Sequence, residues 1–471
     1  MIHRLIQMVG CLLSFLLVLQ SSGGIVWAHE KNVRPTYQMD VTYQPDQDEV
    51  IAHMTLTIPV TSQETMKEAY FHLYPKVFHD WKYGDESKPT KPGNIQVSQV
   101  KVNDVVAKQS VQDTILKVPF PKPVSSGEQV KIDMDFQLKL PHGGSRLNTF
   151  KHTAFLAQWY PMLAVKDKDG WHVEPYTTIG DPFYSQMSDF EITFRLPQGY
   201  RVISSAQDPK LEYRSPITLK QKNVRDFAAV LTKDYQVKRG KAGNVDVNLW
   251  YLKEMEDVVK DLHDAAISGM DFYSKKFGAY PYPEVDVVLG ETGYGIAGME
   301  YPGLVTSIPK VPTEKGEKPA VNVVVHELAH QWWYGVVGNN QAKEPWLDEG
   351  LTTFSEFFYM QKEKKEDERE LLKRATQRTN EIYQAVGITS AESLYKYPDS
   401  IYALMVYIRP AAMLFDLMDQ IGEDKVLEIL RKYYEKYRFH IATTKDFIQT
   451  ANEVANKDLT SFFEKWLYFK E

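Results

Sequence analysis

Residues 326–330 read His-Glu-Leu-Ala-His, and residues 346–350 read Trp-Leu-Asp-Glu-Gly. The first stretch follows the apolar run Val321 to Val325, with Pro319 placed to suit a first helical turn, so it is expected on a buried helix. Residues four apart share a helix face, which lets the imidazoles of His326 and His330 converge on one metal ion with Glu327 beside them. Two ligands leave a catalytic zinc set incomplete. Glu349 follows His330 after 18 intervening residues, a connection that lets a second helix pack on the first and deliver a carboxylate. Chance placement of both features carries a probability of about 0.001, so a metal site is the better reading. A His, His, Glu triad is one of the known catalytic zinc sets.

The rest of the chain is consistent with a folded enzyme. It has 471 residues, 43% hydrophobic and 25% charged, an ordinary globular composition for two or three domains. The net charge is −7 and no long basic stretch is present, so nucleic acid is not an expected partner. The single cysteine, Cys11, lies in residues 1–28, where a short charged start, an apolar middle and small residues before His29 have the layout of a secretory signal. The apolar run is shorter than the ~20 residues of a membrane span. A secreted or extracytoplasmic protein with no stable membrane span after cleavage is expected, or a membrane-anchored one if the signal stays. Cleavage would leave no cysteine, and stability would rest on the core.

Tyr37, Met39, Val41 and Tyr43 alternate with polar residues, as do Val50 to Ile58, Val130 to Leu140 and Phe190 to Leu196. This period of two predicts half-buried antiparallel strands. Pro119 to Pro123, His142-Gly143-Gly144 and Lys166 to Gly170 read as turns or loops. Val258, Leu262, Ala265 and Ala266 recur at helical spacing with Gly278 as the stop, followed by strands at Val285 to Leu289 and Leu304 to Ser307. From Pro319 onward the pattern is mostly helical. Lys238 to Gly243 breaks the strand pattern, giving residues 1–28 as signal, 29–238 as a β-rich domain and 239–471 as a catalytic domain. The fold class is α+β.

His326-Glu327-Leu328-Ala329-His330-Gln331-Trp332-Trp333 with Trp346-Leu347-Asp348-Glu349-Gly350 resembles the aminopeptidase N family of gluzincin zinc peptidases. Val224-Arg225-Asp226-Phe227-Ala228, Ala297-Gly298-Met299-Glu300-Tyr301-Pro302-Gly303 and Tyr407-Ile408-Arg409-Pro410-Ala411 match in order. The resemblance implies a thermolysin-like catalytic domain holding one Zn2+ on His326, His330 and Glu349, with Glu327 as general base. It implies that Glu300, flanked by Gly298 and Met299, pairs with the substrate's α-ammonium, and that Tyr407 donates to the oxyanion, with Tyr402 as runner-up. Gln158 is the candidate second ammonium ligand. Tyr301 stands where the family has asparagine, Ala297 where it has glycine, and Arg409-Pro410 where it has Lys-Gly. Tyr407 is expected just before a helix that starts at Pro410 and stops at Gly422. Glu356, seven residues after Glu349, is a candidate to orient a histidine. Trp332 and Trp333 read as core, and Arg225 with Asp226 as a structural pair at the junction.

The expected activity is zinc-dependent removal of N-terminal residues from peptides with a free amine. A zinc endopeptidase and a silent peptide-binding protein are the alternatives. Full-length relatives carry a further helical domain over the site. This chain is expected to lack it, with freer access for longer peptides.

Overall fold

The computed structural model describes residues 34–61, 65–84, 88–143, 146–209, 215–290 and 298–470. The proposed signal at 1–28, and Ala297, lie outside them. Residues 34–471 form one compact unit.

The alternation read from the sequence becomes the large sheet. Its strand order is Ile217–Val224, Ser188–Arg195, Thr36–Gln44, Glu49–Pro59, Gln129–Lys139, Asn94–Val102 and Val105–Val106. Met39 pairs with Met54 and Val41 with Ala52, so the buried residues of neighbouring strands coincide on one face. Pro119 to Pro123 is not a loop. It belongs to the strand Ile115–Val124, whose second neighbour, Ser110–Gln112, pairs only with residues 115–117. Beyond residue 117 the strand has a free edge and a register shift, where prolines cost no ladder hydrogen bond.

The catalytic sheet runs Gln236–Ala242, Val245–Tyr251, Glu284–Leu289, Leu304–Ser307. Lys238 to Gly243, read as a break, is most of its first strand and the turn that follows, so the change between halves is a change of sheet and not a linker. Helix α1 (Val259–Phe277) is the crossover between the two parallel strands Val245–Tyr251 and Glu284–Leu289. It ends where Gly278 takes φ +130, as the sequence predicts. Helix α2 (Val321–Ala329) packs on α1, with Tyr273 Oη donating to the Val325 carbonyl at 3.0 Å. A Cβ at Gly269 would sit 3.4 Å from Val325, in ordinary contact across the two helices. Helix α3 (Trp346–Tyr359) follows, and four further long helices close the C-terminal end.

Arg225 and Asp226 do not pair. Each finds its own partners. Arg225 donates to the carbonyls of Tyr334 at 2.8 Å, Ser185 at 3.1 Å and His440 at 2.6 Å, which pins the β-rich half to the catalytic half. Asp226 accepts from Gln158 at 2.8 Å and Tyr160 at 3.0 Å.

A second link is His172, buried between Asp167 at 2.8 Å and Glu174 at 3.0 Å and 3.4 Å from Asn340 Nδ2. Burial lowers the imidazole pKa, but Glu174 and Asp167 outweigh it and the net shift is upward. A raised folded-state pKa adds stability that is complete below the unfolded value of about 6.5 and is lost as pH rises through the folded value. His172→Gln is therefore expected to lower unfolding free energy by about 1 kcal/mol near pH 6, discounted for the water that reaches the two carboxylates. Urea unfolding at pH 6 and 8.5 checks this; an equal loss at both values contradicts it.

Candidate metal centre

Helix α2 carries His326 and Glu327, and His330 caps its C-terminal end. Helix α3 begins after Pro345 and places Asp348 and Glu349 in its first turn, where the helix dipole favours carboxylates. Glu349 Oε2 lies 3.4 Å from His326 Nε2 and 3.3 Å from His330 Nε2, midway between the imidazoles. One ligand atom from each of the three falls within 4.8 Å of the others. The opposite ring nitrogens are taken: Glu356 Oε2 is 2.9 Å from His326 Nδ1, and Asp348 Oδ1 is 2.7 Å from His330 Nδ1, with Thr352 Oγ1 at 3.0 Å. Both Nε2 atoms are thereby left facing Glu349.

The charges explain one another. Burial alone would raise the Glu349 carboxyl and lower the imidazoles, but their proximity wins, holding Glu349 far below the usual range and His326 at about 10. Burial raises Glu327 to about 7 against the pull of the two imidazoles, and raises Asp348 to about 7. Five carboxylates crowd two imidazoles, a dry, net-negative pocket suited to a cation. Two imidazole nitrogens and one carboxylate oxygen with oriented Nδ1 atoms fit zinc.

Gly298 and Met299 run antiparallel to the strand Leu304–Ser307, with Met299 and Thr306 bonded both ways at 3.3 and 2.9 Å. A Cβ at Gly298 would lie 1.9 Å from Glu327 Oε1, so only glycine leaves the carboxylate its place. Glu300 is 3% exposed, its Oε1 is without a hydrogen-bond partner, and it shares a 4.8 Å cluster with His330 and Asp348. The structure thus brings Gly298 to Glu327 and Glu300 to His330, with Met299 between them bonded to Thr306. The amide of Gln158 donates to Asp226 at 2.8 Å, and none of its hydrogen bonds among the described residues is with the triad.

Tyr407 stacks on His326, ring centroids 6.0 Å apart and 10° from parallel, and Tyr402 meets it edge-on at 5.7 Å. Tyr407 does not precede a helix. It sits in a wide π turn, Leu404–Ile408, that runs directly into the helix Arg409–Ile421. The widened turn accommodates Pro410, which lacks an N–H and would crowd the carbonyl four residues back in an α-helix. A Cβ at Gly350 would be 2.5 Å from Pro410 Cβ, so Gly350 lets this turn approach α3. Arg409 turns away from the centre, donating to Trp466 O at 2.7 Å and Thr379 Oγ1 at 2.9 Å.

Sequence reasoning overlooked Asp348, although it adjoins Glu349, because only one carboxylate of that pair can reach the ligand position. It also overlooked Gln331, fully buried, whose amide donates to Tyr301 O at 3.0 Å and whose Oε1 accepts from Gly303 N at 2.9 Å. Arg146, ion-paired with Asp181, carried no sequence signal.

A two-domain zinc metallopeptidase fold with a gluzincin-type cluster is the class that this architecture and site define. Residues 263–466 match the Peptidase family M1 domain. Glutamyl aminopeptidase of Sus scrofa is 26% identical over 212 residues, 42% of this chain and 22% of that protein. Aminopeptidase N of Lactococcus lactis subsp. lactis is 24% identical over 255 residues, 51% of this chain and 30% of that protein. The chain thus spans less than a third of the length of these relatives. The M1 zinc metallopeptidase from Deinococcus radiodurans superposes with a TM-score of 0.65 at 16% identity, covering 92% of each chain. The domain at residues 263–466 thus belongs to peptidase family M1, and the chain is similar to proteins of the aminopeptidase N family.

Removing the groups that orient the histidines should be felt at the metal. Asp348→Asn and Glu356→Gln are each expected to weaken zinc retention by about 10- to 100-fold. Competition with a chelator measures this, and unchanged affinity in both variants contradicts the orientation role.

Proposed function

We propose that this chain is a zinc-dependent aminopeptidase holding one Zn2+ on His326, His330 and Glu349 and acting on peptides with a free N-terminus. The carrying observation is the buried, unpartnered Oε1 of Glu300 beside a histidine–histidine–glutamate convergence. Relatives named as aminopeptidases over 42–51% of the chain support the same reading, and one structure of the similar Deinococcus protein is a complex with Tyr-Ser-Ala as substrate. The signal-like layout of residues 1–28 supports action outside the cytoplasm.

Zinc in this place supplies Lewis acidity that polarises the scissile carbonyl and acidifies water. Glu327, held against Gly298, takes the proton of the attacking water and returns it to the leaving amine. Its burial matches this task, since a carboxyl raised toward neutrality can both accept and release a proton. Tyr407, at the ring of His326, donates to the oxygen on which charge develops. Glu300 pairs with the substrate ammonium and so fixes the count of residues before the scissile bond at one.

Glu327→Gln is expected to keep its zinc and lose turnover by roughly 10²- to 10⁴-fold on an aminoacyl amide. Tyr407→Phe should cost about 3 to 4 kcal/mol of transition-state stabilisation. The wild-type enzyme should refuse N-acetylated peptides, and Glu300→Ala should raise KM for free ones. Equal rates on acetylated and free peptides would instead establish the endopeptidase, and zinc binding without turnover on either would establish the silent binder.

A further inference from the structure

A second group of carboxylates lies far from the zinc ligands in sequence, where the β-rich half meets the catalytic sheet. Glu284 and Asp286 alternate at the start of the strand Glu284–Leu289, which places them on the same face. Asp208 comes from the segment that follows the strand Arg201–Ser204, and its backbone N–H donates to Glu284 Oε1 at 2.6 Å. Carboxylate oxygens of the three lie within 4.8 Å of one another.

Asp286 sets this group apart from a surface acidic patch. It is 0% exposed, and its Oδ1 accepts from Trp250 Nε1 at 2.8 Å and Asn248 Nδ2 at 3.0 Å. Its Oδ2 is buried without any hydrogen-bond partner. An ionised carboxylate oxygen withdrawn from water and left unpaired is costly unless a cation or proton meets it. Among the described residues, two basic side chains come near the group. Arg239 Nη2 is 3.9 Å from Asp208 Oδ2, but its side chain is 60% exposed and lies over Trp250. It pairs with Asp208 from the outer edge of the group and makes no ion pair with Glu284 or Asp286 among the described residues. Lys241 is paired with Asp246. No ion pair joins Asp286 to a basic side chain among the described residues. Burial and the neighbouring carboxylates raise the Glu284 carboxyl to about 7 and the Asp286 carboxyl well above its ordinary value, so without a cation the group retains a proton that a bound cation would displace.

We propose that Asp208, Glu284 and Asp286 bind a hard divalent cation of the calcium class, distinct from the zinc centre. The donors are all oxygen, which suits calcium, magnesium or manganese and not zinc. Calcium–oxygen bonds of 2.3–2.6 Å put ligands on opposite sides of the ion about 4.6 to 5.2 Å apart, so the spacing here is one such an ion can bridge. Glu284, half-buried, leaves a side open for water to complete the shell. The ion would tie the segment around Asp208 to the catalytic sheet. The Asp286 N–H donates to Gly303 O at 2.9 Å, so the same strand supports the turn that carries Glu300. The role is structural, and it does not depend on the peptidase reading.

Zinc-loaded protein, dialysed free of other divalent cations, is titrated with calcium chloride by calorimetry and followed by thermal unfolding. The expected result is one calcium bound and a rise of several degrees in Tm. Asp208→Asn and Glu284→Gln should lose that rise while retaining zinc and, without calcium, the wild-type Tm to within a few degrees. Asp286→Asn is the more drastic variant, and the two outer substitutions decide the matter if it does not fold. His326→Ala, which removes a zinc donor, should keep the calcium response. The proposal is overturned if calcium, magnesium and manganese up to about 10 mM, beyond even weak extracellular sites, neither bind nor stabilise. It is equally overturned if the response survives in both outer variants or disappears in His326→Ala.

Discussion

Glu349 Oε2 sits 3.3 and 3.4 Å from two imidazole nitrogens, and the rest of the catalytic half is arranged so that this can occur. The three groups belong to two helices, so α2 and α3 must approach closely and in one register. The neighbouring contacts are close as well: Gly269 of α1 faces Val325 and Leu328 of α2, and Gly350 of α3 lets Pro410 come near. A larger residue at Gly350 would push away the turn that holds Tyr407, and with it the aromatic wall of the cluster. Packing and chemistry are therefore set by the same residues.

The electrostatics follow from the same convergence. Desolvated carboxylates and imidazoles destabilise a fold unless they satisfy one another. Here α3 supplies both the ligand and its orienting groups: Glu349 toward Nε2, and Asp348, Thr352 and Glu356 toward the two Nδ1 atoms. Asp348 and Thr352 are four residues apart, and so are Thr352 and Glu356, so they follow one stripe of the helix. A single helical face thus fixes both tautomers and leaves one direction in which each imidazole can act.

The sequence revealed most where the physics is periodic. Spacing of four placed His326 and His330 together, and alternation placed Tyr37 to Tyr43 and Val50 to Ile58 in the large sheet. It revealed less where a local rule is overridden by an edge or a widened turn. Prolines 119, 121 and 123 read as loop because the free edge that tolerates them is a property of the neighbouring strand. Tyr407 read as preceding a helix because a π turn absorbs Pro410. Contacts made across long separations were least legible. Gln331 holding Tyr301 and Gly303, Arg225 on the carbonyls of Tyr334 and His440, and Asp208 beside Glu284 have no local pattern to announce them.

The fate of Tyr301 and Gln158 shows how a departure at one position is absorbed without moving the next. Tyr301 is 3% exposed and lines a small internal cavity with Arg146, Phe155 and Leu304, so its bulk is taken up against the β-rich half. The backbone on either side is held independently, by Gln331 at the carbonyl of Tyr301 and at the amide of Gly303. Glu300 lies beside His330 and Asp348 with Tyr301 in this position. Gln158 donates its amide to Asp226 together with Tyr160 and so contributes to the junction. Glu300 is a buried carboxylate with an oxygen to spare beside the cluster, on a segment held by backbone contacts to Gln331.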